Sequence, residues 1–330
     1  MRENLMRARA WYRRQLLGDT PQLLRQIAFD QEQLRVEQDE LKLSLGKLHA
    51  TLVSNAQYAS IQEAEFKVFS QFGEDGIIQY LIRHVPVPNT TFVEFGVEDY
   101  REANTRFLLM SNNWRGLIID AGTAHLEFLR RYNGDRLLWS HEIHAISAFV
   151  TRANINDLIR RAGISGDIGL LSIDIDGNDY WIFDAIDVIT PRIVVIEYNS
   201  TFGPELRITV PYKDDFNRLA AHHGRLYFGA SLAALCDLAE AKGYAFVGSD
   251  SVGVNAFFVR KDVVGTLPVL SAREGYVESR VRESRGADGS NTYISQHRDR
   301  LRVIADMEVY DLSCKRMIAI RDAFGLATGD

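Results

Sequence analysis

An open α/β sheet, mostly parallel and closed by an antiparallel hairpin, is the fold class this sequence predicts, with a long helix in front of it. Three observations carry that expectation. Short apolar segments alternate with amphipathic helical ones between residues 71 and 260, which implies a parallel sheet covered on both faces. Segments 244–248 and 255–260 are separated only by a turn rich in Gly, Ser and Asp, so they form a hairpin and the last strand runs antiparallel. Residues 24–52 carry a heptad repeat with no proline after Pro21.

The elements follow in order. Thr20 reads as an N-cap and Pro21 as the first helical position. One set of heptad positions is Leu24, Gln31, Gln38, Leu45 and Leu52; the other is Ile27, Leu34, Leu41 and Leu48. Seven of these nine are apolar, so the segment is expected to be either a coiled coil or an amphipathic helix folded back on its own domain. The spacing then predicts helix 71–84, strand 91–97, helix 103–111, strand 116–120, helix 123–132 and a strand within 137–146. Helix 154–162, strand 168–175, helix 180–188, strand 193–198 and helix 232–242 lead to the hairpin. This divides the chain into an oligomerising helical segment at 1–60, a main domain at 61–265 and an appendage or lid at 266–330.

Composition narrows the classes. The chain has 330 residues, 46% of them hydrophobic and 25% charged, enough for a sizeable core. Its net charge of −6 disfavours nucleic acid as a partner. Cys236 and Cys314 are the only cysteines, too few for a disulfide framework or a zinc-cysteine site, so a reducing, cytoplasmic compartment is expected. No apolar run reaches the length of a membrane span. Residues 1–17 hold five arginines against one glutamate, a solvated arm or a weak contact for a membrane surface.

The chemistry is expected at the strand ends. Segment 91–97 enters a turn with one glycine, Gly96, surrounded by Glu94, Glu98 and Asp99, and segment 116–120 ends in Asp120. A strand–Gly–helix–strand–acid unit holds a nucleoside, with the second acid on the ribose hydroxyls. Carboxylates at the turn repel a pyrophosphate and suit a phosphate-free ligand with a positive centre, such as S-adenosylmethionine (SAM). A nucleoside-binding parallel sheet closed by an antiparallel hairpin is the layout of class I methyltransferases, a Rossmann-like fold. Asp174 and Asp176 flank Ile175, and Glu197 and Asn199 flank Tyr198, so the alternation of a strand aims each pair into one cleft. Four hard oxygen ligands there suit Mg²⁺; without metal, Asp176 or Glu197 acts as general base. His223 is a further candidate base.

Ser70-Gln-Phe-Gly-Glu-Asp75, Val93-Glu-Phe-Gly-Val-Glu-Asp99, Ala103-Asn-Thr105, Trp114-Arg-Gly-Leu-Ile-Ile-Asp120 and Leu171-Ser-Ile-Asp-Ile-Asp-Gly-Asn-Asp179 together resemble FkbM-type SAM-dependent methyltransferases over residues 70–260. The chain departs from their pattern at Asp176, where Glu is more frequent, and at Ser172, often Lys. The resemblance implies a methyltransferase fold and an O-methylated sugar or glycan-related acceptor. Gln71 and Asn104 are candidates for the methionine end of the cofactor, beside Glu94, Gly96, Glu98, Asp120 and Asp174. Two other readings remain: an NAD-dependent sugar oxidoreductase, and a non-catalytic scaffold for glycan assembly.

Overall fold

Ten strands can be followed in the computed structural model, which describes residues 6, 20–131 and 136–326. They are β1 (Thr91–Phe95), β2 (Arg115–Asp120), β3 (Ile143–Ser147), β4 (Gly166–Ile173), β5 (Ile189–Glu197), β6 (Ile208–Thr209), β7 (Tyr244–Ser249), β8 (Asn255–Arg260), β9 (Glu308–Asp311) and β10 (Arg316–Ala319). Seven form one sheet in the order β3-β2-β1-β4-β5-β8-β7. Within it β8 alone runs against its neighbours, pairing antiparallel with both β5 and β7. That order and the reversed hairpin strand are those of the class I methyltransferase sheet. The α/β fold class expected from the sequence is therefore observed.

Strand alternation divides the core. Val93, Phe95, Leu171, Ile173, Val194 and Ile196 face helices Ile155–Arg161, Asp179–Ala185 and Leu232–Ala241. Phe92, Ile118, Leu170, Ile193 and Val195 face helices Glu74–His84, Arg106–Asn112 and Ala124–Arg131. Both sheet faces are thus buried, as apolar strands without polar alternation require. The chain order reverses at β1 and β4, and the crevice beyond the carboxyl ends of the strands at this switch point positions the site.

Three local expectations change. The apolar run at 137–139 belongs to helix Arg136–Ser140, and β3 begins only at Ile143. A short apolar run has no periodicity to separate the two states, and exposed Leu138 and Trp139 show that no sheet face claims it. Residues 71–73 precede the helix rather than open it. In the C-terminal part β9 pairs with both β10 and β6, making a second sheet, over a core that includes Phe202, Val210, Leu226, Leu301 and Ile320.

Helix Thr20–Ser54 combines the two readings of the heptad segment. Gly46 and Val53 are buried against the chain's own domain, Val36 is buried as well, and a Cβ on Gly46 would stand 2.5 Å from the Val68 side chain. Asp39 pairs at 2.6 Å with Arg106, whose guanidinium lies 4.0 Å from the centre of the Phe69 ring. The apolar heptad residues point the other way, to solvent. No described helix is long and apolar enough to cross a membrane. The basic arm at 1–17 falls outside the described residues, apart from Met6.

Candidate active site

A cavity of about 610 Å³ opens at the switch point, lined by nine carboxylates and two arginines. Gly96 turns the chain out of β1 at φ +75°, and a Cβ there would stand 1.5 Å from the Asp174 carbonyl oxygen. The sequence placed this glycine under a ligand; the geometry shows that the backbone end of β4 is what excludes a side chain. Gly96→Ala is expected to cost more than ~3 kcal/mol of stability, read as a shift in the denaturant midpoint, because backbone cannot move aside as a flexible side chain does.

The carboxylates divide into those tied to backbone and those left free. Asp75 accepts the amides of Val68, Phe69 and Ser70 at 2.7–2.8 Å and so builds the turn ahead of helix Glu74–His84. Glu74 accepts the amides of Phe72 and Gly73 and, from across the molecule, the Asn255 side chain at 2.9 Å. Glu94 accepts the Asn104 amide at 2.8 Å, the Thr105 amide at 3.1 Å and the Thr105 hydroxyl. It therefore anchors the approach to helix Arg106–Asn112. Burial raises its pKa to about 7 against the lowering effect of these bonds. The Asn104 side chain donates to the Ser172 hydroxyl at 3.1 Å, which ties this approach to the end of β4.

Asp120, at the end of β2, uses one oxygen for the Glu98 amide at 2.9 Å and the other for the Gly122 amide at 2.7 Å. It is only half-buried, and each oxygen keeps a lone pair for a hydroxyl in the cavity. Glu98, at φ +48°, is exposed on the rim; partial burial first, then Asp176, Asp99 and Asp120, raise its pKa. Gln71 is exposed and lines the same opening.

Carboxylate oxygens of half-buried Asp174, exposed Asp176 and buried Glu197 lie within 4.8 Å of one another. Glu197 is only 7% exposed, and its Oε2 has no hydrogen-bond partner. Its pKa and that of Asp174 lie well above the ordinary carboxylate range, from burial first and then from like charges: Asp174 and Asp176 act on Glu197, and Asp176 and Asp179 on Asp174. Arg218 is the local counter-charge. It pairs with Asp176 at 2.6 Å, donates to the Arg225 carbonyl at 2.9 Å and lies 3.9 Å from the Phe228 ring centre. Arg225 in turn pairs with Glu283 at 2.7 Å on the cavity wall.

Two candidates stand apart from this group. The Asn199 amide nitrogen donates to the carbonyls of Leu226 and Phe228 at 2.9 Å, and its oxygen accepts the Thr201 amide at 3.0 Å. It pins the segment after β5 rather than facing the carboxylates, so the oxygen cluster holds three acids. His223 is exposed, stacks on His222 and is not among the cavity-lining residues. Tyr198 and Trp181 are tied to backbone instead. Tyr198 donates to the Val277 carbonyl at 2.7 Å, and Trp181 to that of Val210 at 2.9 Å. Asn255, Arg218, Arg225 and Glu283 were not singled out from the sequence, and only the basic character of the arginines hinted at a counter-charge.

No protein-family model matches the chain, and no curated protein matches it. Among solved structures it is similar to the N-terminal domain of EvdMO1 with SAH bound (10% identity, TM-score 0.35, 56% of this chain and 79% of that one). It is also similar to a putative O-methyltransferase from Nostoc punctiforme PCC 73102, at 10% identity and TM-score 0.36, covering 57% of this chain and 55% of that one. A putative O-methyltransferase from Klebsiella pneumoniae gives 11% identity and TM-score 0.35, with 66% and 90% covered. Scores this low assign neither fold nor activity, and the fold assignment rests on the strand order.

Proposed function

We propose that this chain is a SAM-dependent O-methyltransferase of FkbM type, acting on a sugar hydroxyl of a glycan or activated saccharide. The observation that carries the reading is the deeply buried, unpartnered Glu197 Oε2, at the floor of an acidic cavity whose rim carries Asp120. A volume of about 610 Å³ lies within the range of small-molecule sites. Its carboxylates oppose a dinucleotide's phosphates and favour a sulfonium. When bound, SAM supplies the electrophilic methyl group.

The roles follow from position. Asp120 accepts the ribose hydroxyls, and Glu98, Gln71 and Asn104 border the methionine end. Glu94 and Gly96 shape the turn from behind. Glu197, whose pKa burial raises well above the ordinary carboxylate range, takes the acceptor's proton as general base, with Asp174 beside it. Arg218 holds Asp176 and keeps the cluster from accumulating three uncompensated charges. Asp174, Asp176 and Glu197 also fit a small divalent cation such as Mg²⁺ by donor chemistry, Glu197 Oε2 being free. Such an ion would lower the acceptor hydroxyl's pKa.

Residues 61–265 form the catalytic domain in this reading, and 266–330 an appendage that walls the acceptor side, which Glu283 supports by lining the cavity. Residues 1–60 assemble the chain into a homo-oligomer. Two unpaired cysteines suit a reducing compartment such as the cytoplasm. The test is transfer of isotope-labelled methyl from SAM to a panel of free and nucleotide-activated sugars, with and without a chelator. Label on a sugar oxygen is expected. Transfer to nitrogen or sulfur acceptors but to no hydroxyl would reject the reading.

A further inference from the structure

Helix Thr20–Ser54 carries two apolar stripes, and among the described residues only one is packed against the domain. Val36, Leu43 and Ala50 recur every seven residues on the face turned to the domain: Val36 is buried, and Leu43 and Ala50 pack beside Val68, Phe69 and Phe107. At about 100° per residue, Leu43 lies roughly 160–200° around the helix from Leu41 and Leu45. The opposite face is therefore the seam of Leu24, Ile27, Leu34, Leu41, Leu45, Leu48 and Leu52, each between 51% and 68% exposed. A row of seven large apolar side chains over about 43 Å of helix marks an interaction surface.

We propose that this seam pairs with the same seam of a second copy as a parallel, in-register, two-stranded coiled coil. The charges beside the seam select the occupant and its direction. Asp30 and Glu37 flank it on one side, Arg35 and Lys42 on the other, and all four are exposed. In a parallel pair each residue on the first side meets the one five positions further along the second copy. Asp30 then faces Arg35 of the second copy, and Glu37 faces its Lys42. The symmetry repeats both pairs, making four attractive contacts. In an antiparallel pair each flank meets its own kind, acid against acid and base against base. Parallel alignment also places Gln31 against Gln31 and Gln38 against Gln38, where side-chain amides satisfy one another and fix the register.

The strand number follows from the second stripe. Because Leu43 and Ala50 are occupied by the chain's own domain, each helix offers one narrow seam bordered by charges. Wider bundles bury those bordering positions, which Arg35, Lys42 and Glu37 resist. Nothing in this proposal depends on the chemistry assigned to the cavity.

Sedimentation equilibrium of the full chain tests it. Twice the mass of one chain is expected at micromolar concentration. Leu34→Lys with Leu41→Lys is expected to yield a single-chain species whose circular dichroism stays folded, because both side chains already face solvent. Glu37→Lys is expected to weaken association roughly tenfold by setting like charges at two contacts, and adding Lys42→Glu is expected to restore it. A single-chain species for the unaltered protein, or assemblies of three or more, would overturn the proposal. Tighter association of Glu37→Lys would overturn the parallel orientation.

Discussion

Glu197→Gln is expected to lower methyl-transfer turnover by about 10²–10⁴-fold, the usual contribution of a positioned general base. Binding of S-adenosylhomocysteine should change less than about threefold, because Glu197 sits at the floor of the cavity, away from the ribose end. The substitution keeps shape and removes a buried charge that stands beside Asp174 and Asp176. An amide there donates to Asp174 instead of repelling it, so thermal stability should hold or rise. This separates loss of the base from loss of the fold. Turnover unchanged in the folded variant would remove Glu197 from the chemistry. Single-turnover rates with saturating SAM, together with the melting temperature, provide both readouts.

Asp120→Ala carries the second large effect, on binding rather than turnover. Hydrogen bonds from ribose hydroxyls to a carboxylate contribute about 1.5–3 kcal/mol each, so losing the pair should weaken adenosyl-ligand binding by roughly 10²–10⁴-fold. The same carboxylate fixes the amides of Glu98 and Gly122, so its removal also frees the two turns that it joins. Asp120→Asn separates the two contributions: its carbonyl oxygen still accepts one amide, while its NH₂ group cannot accept a ribose hydroxyl. An intermediate loss of affinity is expected for Asn, measured calorimetrically with S-adenosylhomocysteine. Equal affinity for the unaltered chain and Asp120→Ala would contradict the ribose assignment.

Much of this arrangement was legible in the residues. Apolar strands bounded by glycine turns gave the sheet, and the short hairpin at its end gave the reversed strand. Strand parity was less reliable at strand ends. It placed Glu197 and Asn199 on one face, but β5 stops at Glu197, and Asn199 turns away to serve the segment at 226–228. Asp176 also lies beyond its strand, at φ +56°, yet the turn returns its carboxylate to Asp174. The partners that complete the site come from distant positions. Arg218 reaches Asp176 across 42 residues, and Asn255 reaches Glu74 across 181, separations that no local pattern encodes.

The acidic residues of the first glycine turn occupy different places in the structure, which their spacing alone does not reveal. Glu94 serves the backbone at 104–105, while Glu98 and Asp120 face the opening. In the N-terminal helix the heptad seam was readable, whereas the stripe through Val36 and Leu43 that binds the domain was not. Its positions look like gaps between heptads until the domain's own apolar surface, at Val68 and Phe107, is brought against them.

The central claim is that a phosphate-free sulfonium nucleoside is held by carboxylates at the rim of the sheet, and calorimetric titration with SAM, S-adenosylhomocysteine and NAD⁺ tests it most directly. Raised carboxylate pKa values give the sign of the pH dependence. Burial raises the Glu94 pKa to about 7, so this carboxyl loses its proton as pH rises through neutrality, and burial also pushes Asp174 and Glu197 well above their ordinary range. A cationic ligand binds the ionised forms better. SAM should therefore gain affinity between about pH 6 and about pH 8, and gain more than S-adenosylhomocysteine, which lacks the sulfonium charge. NAD⁺ should not bind. Binding of NAD⁺ in place of both adenosyl ligands, or SAM affinity that falls as the carboxylates ionise, would contradict it.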